Sequence, residues 1–349
     1  MMKKTIALIV TISVSLLSWA FPIGRIAFRV VVMDEGTSLP VKNVSIKAVF
    51  DDIPEHWGDS SVEKVERGMT DSKGMCRFTG TSNHGQGGYI VENMQGYYAA
   101  SFVNYVATNG IRSFFPVHYR CEPYDCVYTT VLQRVEHPVA LFVKQFNVGG
   151  SDSVRVDLFA KGNGCLQLDM LKGEWLPPVG NGEHADVIFT RIPRKDLGTG
   201  TNARGITAAA YRDSMSVKFV GDDNGFVEVA SLANSGLRIR SAPENGYRQD
   251  YVCWKERTKN LKLVSSFDAE RNFAFRIRTK RDKNGRITSA YYGKIYGDIC
   301  FKKLIGVDVE AVAAPSFLYY LNPTPIDRNL EWDMKNNLCP NPGMVGRQP

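Results

Sequence analysis

From Ile26 the chain alternates apolar and polar residues with the period of two that a half-buried strand requires, and Ile26, Phe28, Val30 and Val32 share one face. The connection Asp34-Glu35-Gly36-Thr37-Ser38-Leu39-Pro40 is rich in turn formers, and the alternation resumes at Val44, Ile46, Ala48 and Phe50. Thr70-Asp71-Ser72-Lys73-Gly74 carries the Asp and Gly of a tight turn, with Met75 to Thr79 as its return strand. Val127 to Leu132 adds a further strand. A boundary falls at Arg134 to Pro138, before a fresh apolar run from Val139 to Phe146.

Beyond that boundary, strand signals recur at Val154, Val156 and Leu158, at Val187 to Thr190, Val217 to Val220, Phe226 to Val229 and Leu237 to Arg240. Clusters of Gly, Pro and Asn separate them, so the second region is also mainly β; a short helical turn is expected around Thr207 to Met215. Asp222-Asp223-Asn224-Gly225 and Asp282-Lys283-Asn284-Gly285 repeat the turn chemistry of Asp71. Neither has the alternating ligands and terminal Glu of a calcium loop, so both read as hairpin turns. Between Phe273 and Tyr296 the pattern predicts a hairpin with Phe273, Phe275 and Ile277 toward a core and Arg276, Arg278 and Lys280 on the opposite face. That basic face, followed by Tyr291, Tyr292 and Tyr296, is either simply solvated or binds a polyanionic or sugar ligand. The run Tyr319 to Asp333 contains Pro323 and Pro325 and is expected to form an extended strap, with Leu330 and Trp332 packed on the body.

Val32, Asp34, Gly36, Leu39, Pro40 and Val44, then Thr70, Asp71, Gly74 and Phe78, then Gly96-Tyr97, occur in an order and spacing that resembles carboxypeptidase regulatory-like domains, the transthyretin-like seven-stranded sandwich. The resemblance spans residues 26–100 and implies a non-catalytic accessory of a secreted protein, with no catalytic residues to transfer. Residues 51–68, with Pro54, His56 and Trp57, are longer than the usual connection and read as a surface loop or a ligand-contacting one. Ala290 to Asp298 and Tyr319 to Asp333 are similar to segments of uncharacterised secreted bacterial proteins, which implies no activity.

The first twenty residues, MMKKTIALIVTISVSLLSWA, have a positive start at Lys3 and Lys4, an apolar run from Ile6 to Leu17, and small residues at Ser18 and Ala20. This is the pattern of a cleavable secretory signal, and the apolar run is shorter than the ~20 residues that span a bilayer. The expected organisation is therefore a signal peptide at 1–20, an immunoglobulin- or transthyretin-like sandwich at 21–135 and a larger β-rich, sandwich-type domain at 136–349. Export places seven cysteines in an oxidising compartment. Cys121 and Cys126, in CEPYDC, are positioned for a local disulfide, and the odd total leaves at least one thiol unpaired.

Net charge is +7, scattered rather than blocked, so there is no basic arm of the kind that binds nucleic acid. The chain has no Gly-x-Ser-x-Gly elbow, no His-Glu-x-x-His zinc helix, no Walker loop and no dinucleotide fingerprint. Gly198 to Gly205 lacks the Lys-Ser/Thr ending of a phosphate loop and reads as a flexible loop. The most site-like segment is Trp175 to Asp186: Trp175 offers a stacking face for a sugar ring, His184 lies beside Asp186, and Glu183 or Asp186 has acid–base chemistry. The candidate ligand-binding residues are thus Trp175, Glu183, His184, Asp186, Arg276, Arg278, Tyr291 and Tyr292, with no catalytic set, metal or cofactor. The reading is an exported, non-enzymatic protein of the periplasm, cell envelope or extracellular space, contacting an envelope glycan or another secreted protein. The alternative is a secreted glycan-active enzyme or carbohydrate-binding protein with its site near Trp175 to Asp186.

Overall fold

The computed structural model describes residues 24–52, 62–82, 87–92, 94–98, 119–120, 124–147, 153–230, 237–268, 270–304 and 312–340. The expected signal peptide, Cys121 and the segment with Pro54, His56 and Trp57 lie outside the described residues. The protein is mainly β: the described residues contain twenty strands and one four-residue helix. No helix among them is long and apolar enough to cross a membrane. They form two compact units, one up to Val135 and one from Glu136 onward.

In the first unit, β1 (Gly24–Asp34) pairs antiparallel with β4 (Met75–Ser82) and parallel with β6 (Tyr119–Arg120) and β7 (Cys126–Leu132). A second sheet has β2 (Ser45–Asp52) between β3 (Val62–Met69) and β5 (Gly87–Val91). The alternation at the start of the chain dictates the packing. Ile26, Phe28, Val30 and Val32 of β1 face Val44, Ile46, Ala48 and Phe50 in one core, all at most 1% exposed. Between β3 and β4, Asp71 Oδ1 accepts the amides of Lys73 and Met75. Gly74 (φ +68°) completes that turn, and a Cβ there would lie 2.6 Å from Val32 O.

Asp34, 3% exposed, joins the ends of this sandwich. Its carboxylate accepts Thr37 N (2.8 Å), Thr37 Oγ1 (2.9 Å), Tyr97 Oη (2.7 Å) and Arg134 Nε (2.8 Å). Burial opposes the charge, but these bonds prevail and hold its pKa far below the usual carboxylate range. The stability it contributes is present above the unfolded value of about 3.9 and is lost as pH falls toward the folded value. Asp34→Asn is expected to cost about 2–3 kcal/mol at pH 7, with the gap to the parent narrowing by pH 3. Thermal melts at the two pH values check this, and an unchanged gap would refute it.

The second unit has two larger sheets. One runs in the order β11 (Glu174–Trp175), β10 (Cys165–Asp169), β12 (Val187–Thr201), β13 (Thr207–Phe219), β15 (Asp250–Arg257), β16 (Leu263–Ser265). The other runs β14 (Gly225–Glu228), β17 (Asn272–Arg281), β18 (Ile287–Leu304), β19 (Val312–Asn322), β8 (Val139–Phe146), β20 (Trp332–Asn337), with β9 (Ser153–Val154) alongside β18. Leu168, Phe189, Met215 and Val217 of the first sheet meet Phe273, Phe275, Phe317 and Tyr319 of the second. The second sheet is buried on its other face too, where Leu141, Tyr292, Leu318 and Tyr320 pack under Ile239, Leu330 and Trp332. All eleven residues of β19 are buried, as an unalternating apolar run should be.

Three sequence expectations are corrected. Thr207 to Met215 is strand β13 rather than a helical turn: despite three alanines it pairs with β12 on one side and β15 on the other. The helix is α1 (Leu158–Lys161), whose Asp157 cap accepts the amide of Ala160. Gly198 to Thr201 belongs to β12, where a Cβ on Gly200 would fall 2.3 Å from Lys259 O; the turn is confined to Asn202 to Gly205. Tyr319 to Asn322 lies in the interior strand β19, so the strap begins at Pro323, although Leu330 and Trp332 pack as expected.

Candidate functional site

The hairpin β10–β11 and the loop from Leu176 to Asp186, just before β12, carry four of the eight residues singled out in the sequence, Trp175, Glu183, His184 and Asp186. Trp175 does not offer a stacking face. It is 9% exposed, its ring centroid lies 4.9 Å from that of Phe146 and 5.7 Å from that of Phe189, and it belongs to the core between the sheets. Backbone bonds close the loop around it: Gly182 N donates to Trp175 O (2.8 Å) and Leu176 N to Gln167 O (2.8 Å).

Two buried carboxylates stand under this loop. Asp169 Oδ2 accepts the amides of Glu183 and His184, both at 3.2 Å, while Oδ1 accepts Lys172 N at 3.1 Å. Asp186 Oδ2 accepts Met170 N at 2.9 Å. Arg278 spans both: Nε donates to Asp186 Oδ1 (2.8 Å), and Nη2 donates to Asp186 Oδ2 (2.9 Å) and Asp169 Oδ1 (2.6 Å). Burial raises the Asp186 pKa and outweighs Arg278. Burial acts on Asp169 in the same direction, but the amides of Glu183 and Lys172, with Arg278, reverse it and leave its pKa lowered. Every carboxylate oxygen of the pair therefore has a donor from the chain itself. Glu183 is exposed and its Oε1 meets Lys172 Nζ at 2.5 Å; His184 is exposed as well.

Arg278 reaches this place because β17 is irregular. Its register with β18 shifts between Ile277 and Lys280, and Arg278 has φ +52°. A bulge turns the side chain out of strict alternation, so Arg278 does not share a face with Arg276. Arg276 is 6% exposed; its Nε and Nη2 donate to Asp223 O at 2.9 and 2.6 Å, and its guanidinium lies 4.5 Å from the Tyr247 ring centroid. Tyr292 is buried in the outer core, whereas Tyr291 packs against the inner one. The basic, tyrosine-flanked face expected from period two is thus broken up: Arg276 and Tyr292 are buried, Arg278 and Tyr291 half-buried, and Lys280 exposed. Asp282 Oδ1 accepts the amides of Asn284 and Arg286, as a hairpin turn requires.

Sequence reasoning treated Asp186 and Arg278 as members of separate clusters, and it passed over Asp169 entirely. The available signal for Asp169 was its place four residues before Gly173, a turn one residue longer than that of Asp71 and Gly74. Cys126 is half-buried at the start of β7, and its expected partner, Cys121, is among the residues not described. Among the described residues no group of three or more His, Cys, Asp and Glu side chains is arranged to hold a metal ion.

No family model matches the chain, and no curated protein matches it. Solved structures similar to it include a streptococcal ancillary pilin at 14% identity, covering 57% of this chain and 59% of that one, with a TM-score of 0.18. The major pilin subunit BcpA of Bacillus cereus is 9% identical, covers 85% and 95% of the two chains, and has a TM-score of 0.22. The full-length major pilin SpaD of Corynebacterium diphtheriae is 8% identical, with coverage of 76% and 90% and the same TM-score of 0.22. The chain thus spans about three-fifths of the length of the streptococcal pilin. At these TM-scores the likeness decides neither fold nor function, which rest on the chain's own residues.

Proposed function

We propose that this chain is an exported, non-enzymatic structural or interaction protein of the cell envelope or extracellular space. Its first twenty residues are a cleaved signal, residues 21–135 form a carboxypeptidase regulatory-like, transthyretin-like supporting domain, and residues 136–349 make the specific contact with another secreted protein. One observation carries the non-enzymatic part of this reading: Arg278 and backbone amides occupy Asp169 and Asp186, while Trp175 is packed in the core. A glycosidase needs two carboxylates facing each other across a substrate with a free path to it. Here the pair fastens a loop to the opposite sheet. In the supporting domain, Asp34, Thr70, Asp71, Gly74 and Tyr97, which carry the family resemblance, hold turns and strand ends together, which is consistent with an accessory role.

The test uses the protein recovered from its own cells. N-terminal sequencing of the exported fraction is expected to begin at Phe21, and incubation with envelope polysaccharides is expected to release no product by mass spectrometry. Recovery only from the cytoplasm would remove the export reading, and accumulation of cleaved glycan would remove the non-enzymatic one. Non-reducing peptide mapping of the same sample decides the proposed Cys121–Cys126 bridge.

A further inference from the structure

We infer that one end of the space between the two sheets of the second unit binds an oxyanion, with the Tyr211 hydroxyl as its central donor. Tyr211, in β13, is 4% exposed, and its Oη is buried with no hydrogen-bond partner. Buried hydroxyls are nearly always paired, so an unpaired one marks a place where an acceptor belongs. Cations surround this ring. Arg194 Cζ lies 4.0 Å from its centroid, Arg257 Cζ 4.8 Å and Lys303 Nζ 5.7 Å.

The register explains the gathering. Arg257 stands directly opposite Tyr211 across β13–β15, and Lys255 stands opposite Asp213, so all four side chains share one face. Lys303 approaches that face from β18 in the other sheet. Two carboxylates are nearby. Asp213, buried, is held by Arg194 Nε and Nη2 at 2.7 and 2.8 Å; Asp196, exposed, accepts its neighbour Gly198 N at 2.7 Å. Arg257 donates its Nε to Ala209 O at 2.7 Å, and its two Nη groups have no partner among the described residues. Lys255 Nζ lies 5.4 Å from the Phe301 ring centroid and forms no ion pair among the described residues. An arginine with free Nη donors, stacked over the ring that carries an unpaired buried hydroxyl, fits a carboxylate, phosphate or sulfate group. The site takes either a free anion or the same group carried on a larger molecule, and it stands independently of the proposed function.

Calorimetric titration of the mature chain with inorganic phosphate, beside polyphosphate at equal phosphate concentration, tests the assignment. Saturable binding is expected. Tyr211→Phe is expected to weaken it about tenfold and Arg257→Gln at least about tenfold, as loss of a charge-assisted hydrogen bond implies. In anion-free buffer Tyr211→Phe should melt no lower than the parent, because it removes only an unpaired hydroxyl. Preference for polyphosphate would place the anion on a larger molecule, and equal affinity would identify the free ion. Absence of saturable binding, unchanged affinity in both variants, or a lowered melting temperature for Tyr211→Phe would overturn the site.

Discussion

Arg278→Met is expected to destabilise the protein by about 3–5 kcal/mol, because it leaves two buried carboxylates facing each other without their shared cation. The loss should grow with pH. Burial already raises the Asp186 pKa, and without Arg278 it rises further, so the folded variant binds a proton that the unfolded chain releases above about pH 4. Stability of the variant therefore falls as pH rises through that interval. Denaturant titrations at pH 5 and pH 8 measure the effect. Adding Asp186→Asn to Arg278→Met should recover part of the loss and remove its pH dependence. A loss below about 1 kcal/mol, in the range of an exposed ion pair, would mean that the loop is held by its backbone bonds alone.

Lys294→Met is expected to act in the opposite direction. Lys294 is fully buried beneath the strap, donates to Tyr296 Oη at 2.7 Å, and lies 4.9 Å from the Tyr320 ring centroid. Burial pushes its pKa well below the usual lysine value; Glu331 opposes that shift and Arg240 adds to it. Glu331 is already engaged by Arg240 Nη1 at 2.8 Å and by the amides of Glu136 and His137 at 2.6 and 2.9 Å. With a folded pKa below the unfolded one, the unfolded chain binds more protons, so stability rises with pH up to the unfolded value near 10.4. Replacement by Met should stabilise the protein by about 1–4 kcal/mol at pH 7, because Met removes the cost of burying or neutralising the ammonium, each pKa unit of lowering being worth about 1.4 kcal/mol. The advantage should shrink toward pH 10, where the lysine is neutral in both states. A variant less stable than the parent at pH 7 would show that attraction to Glu331 exceeds the cost of burial.

The candidate site was legible in its members and not in its arrangement. Trp175, Glu183, His184, Asp186 and Arg278 were all visible as residue types, but a buried tryptophan and an exposed one have the same letter. Arg278 pairs with Asp186 across ninety-two positions and with Asp169 across one hundred and nine, distances over which no local pattern carries information. The bulge at Ile277 to Lys280 is likewise a product of pairing with β18, and it sends Arg278 away from the face of Arg276.

What the sequence determined by itself is the strand character of the chain and the inward face of β1, because period two in Ile26 to Val32 leaves one way to bury those side chains. The turns at Asp71 and Asp282 were legible for the same kind of reason: their side chains bond backbone amides two and four residues on. Only the tertiary structure decided that Thr207 to Met215 is a strand, since the helical preference of its alanines is small beside pairing with β12 along the segment and with β15 from Tyr211 onward. It also decided that Arg276 and Lys294 are buried and Arg278 half-buried. Their burial depends on what covers them: Asp223 and Tyr247 over Arg276, the loop before β12 over Arg278 and the strap after β19 over Lys294, each far away in the chain.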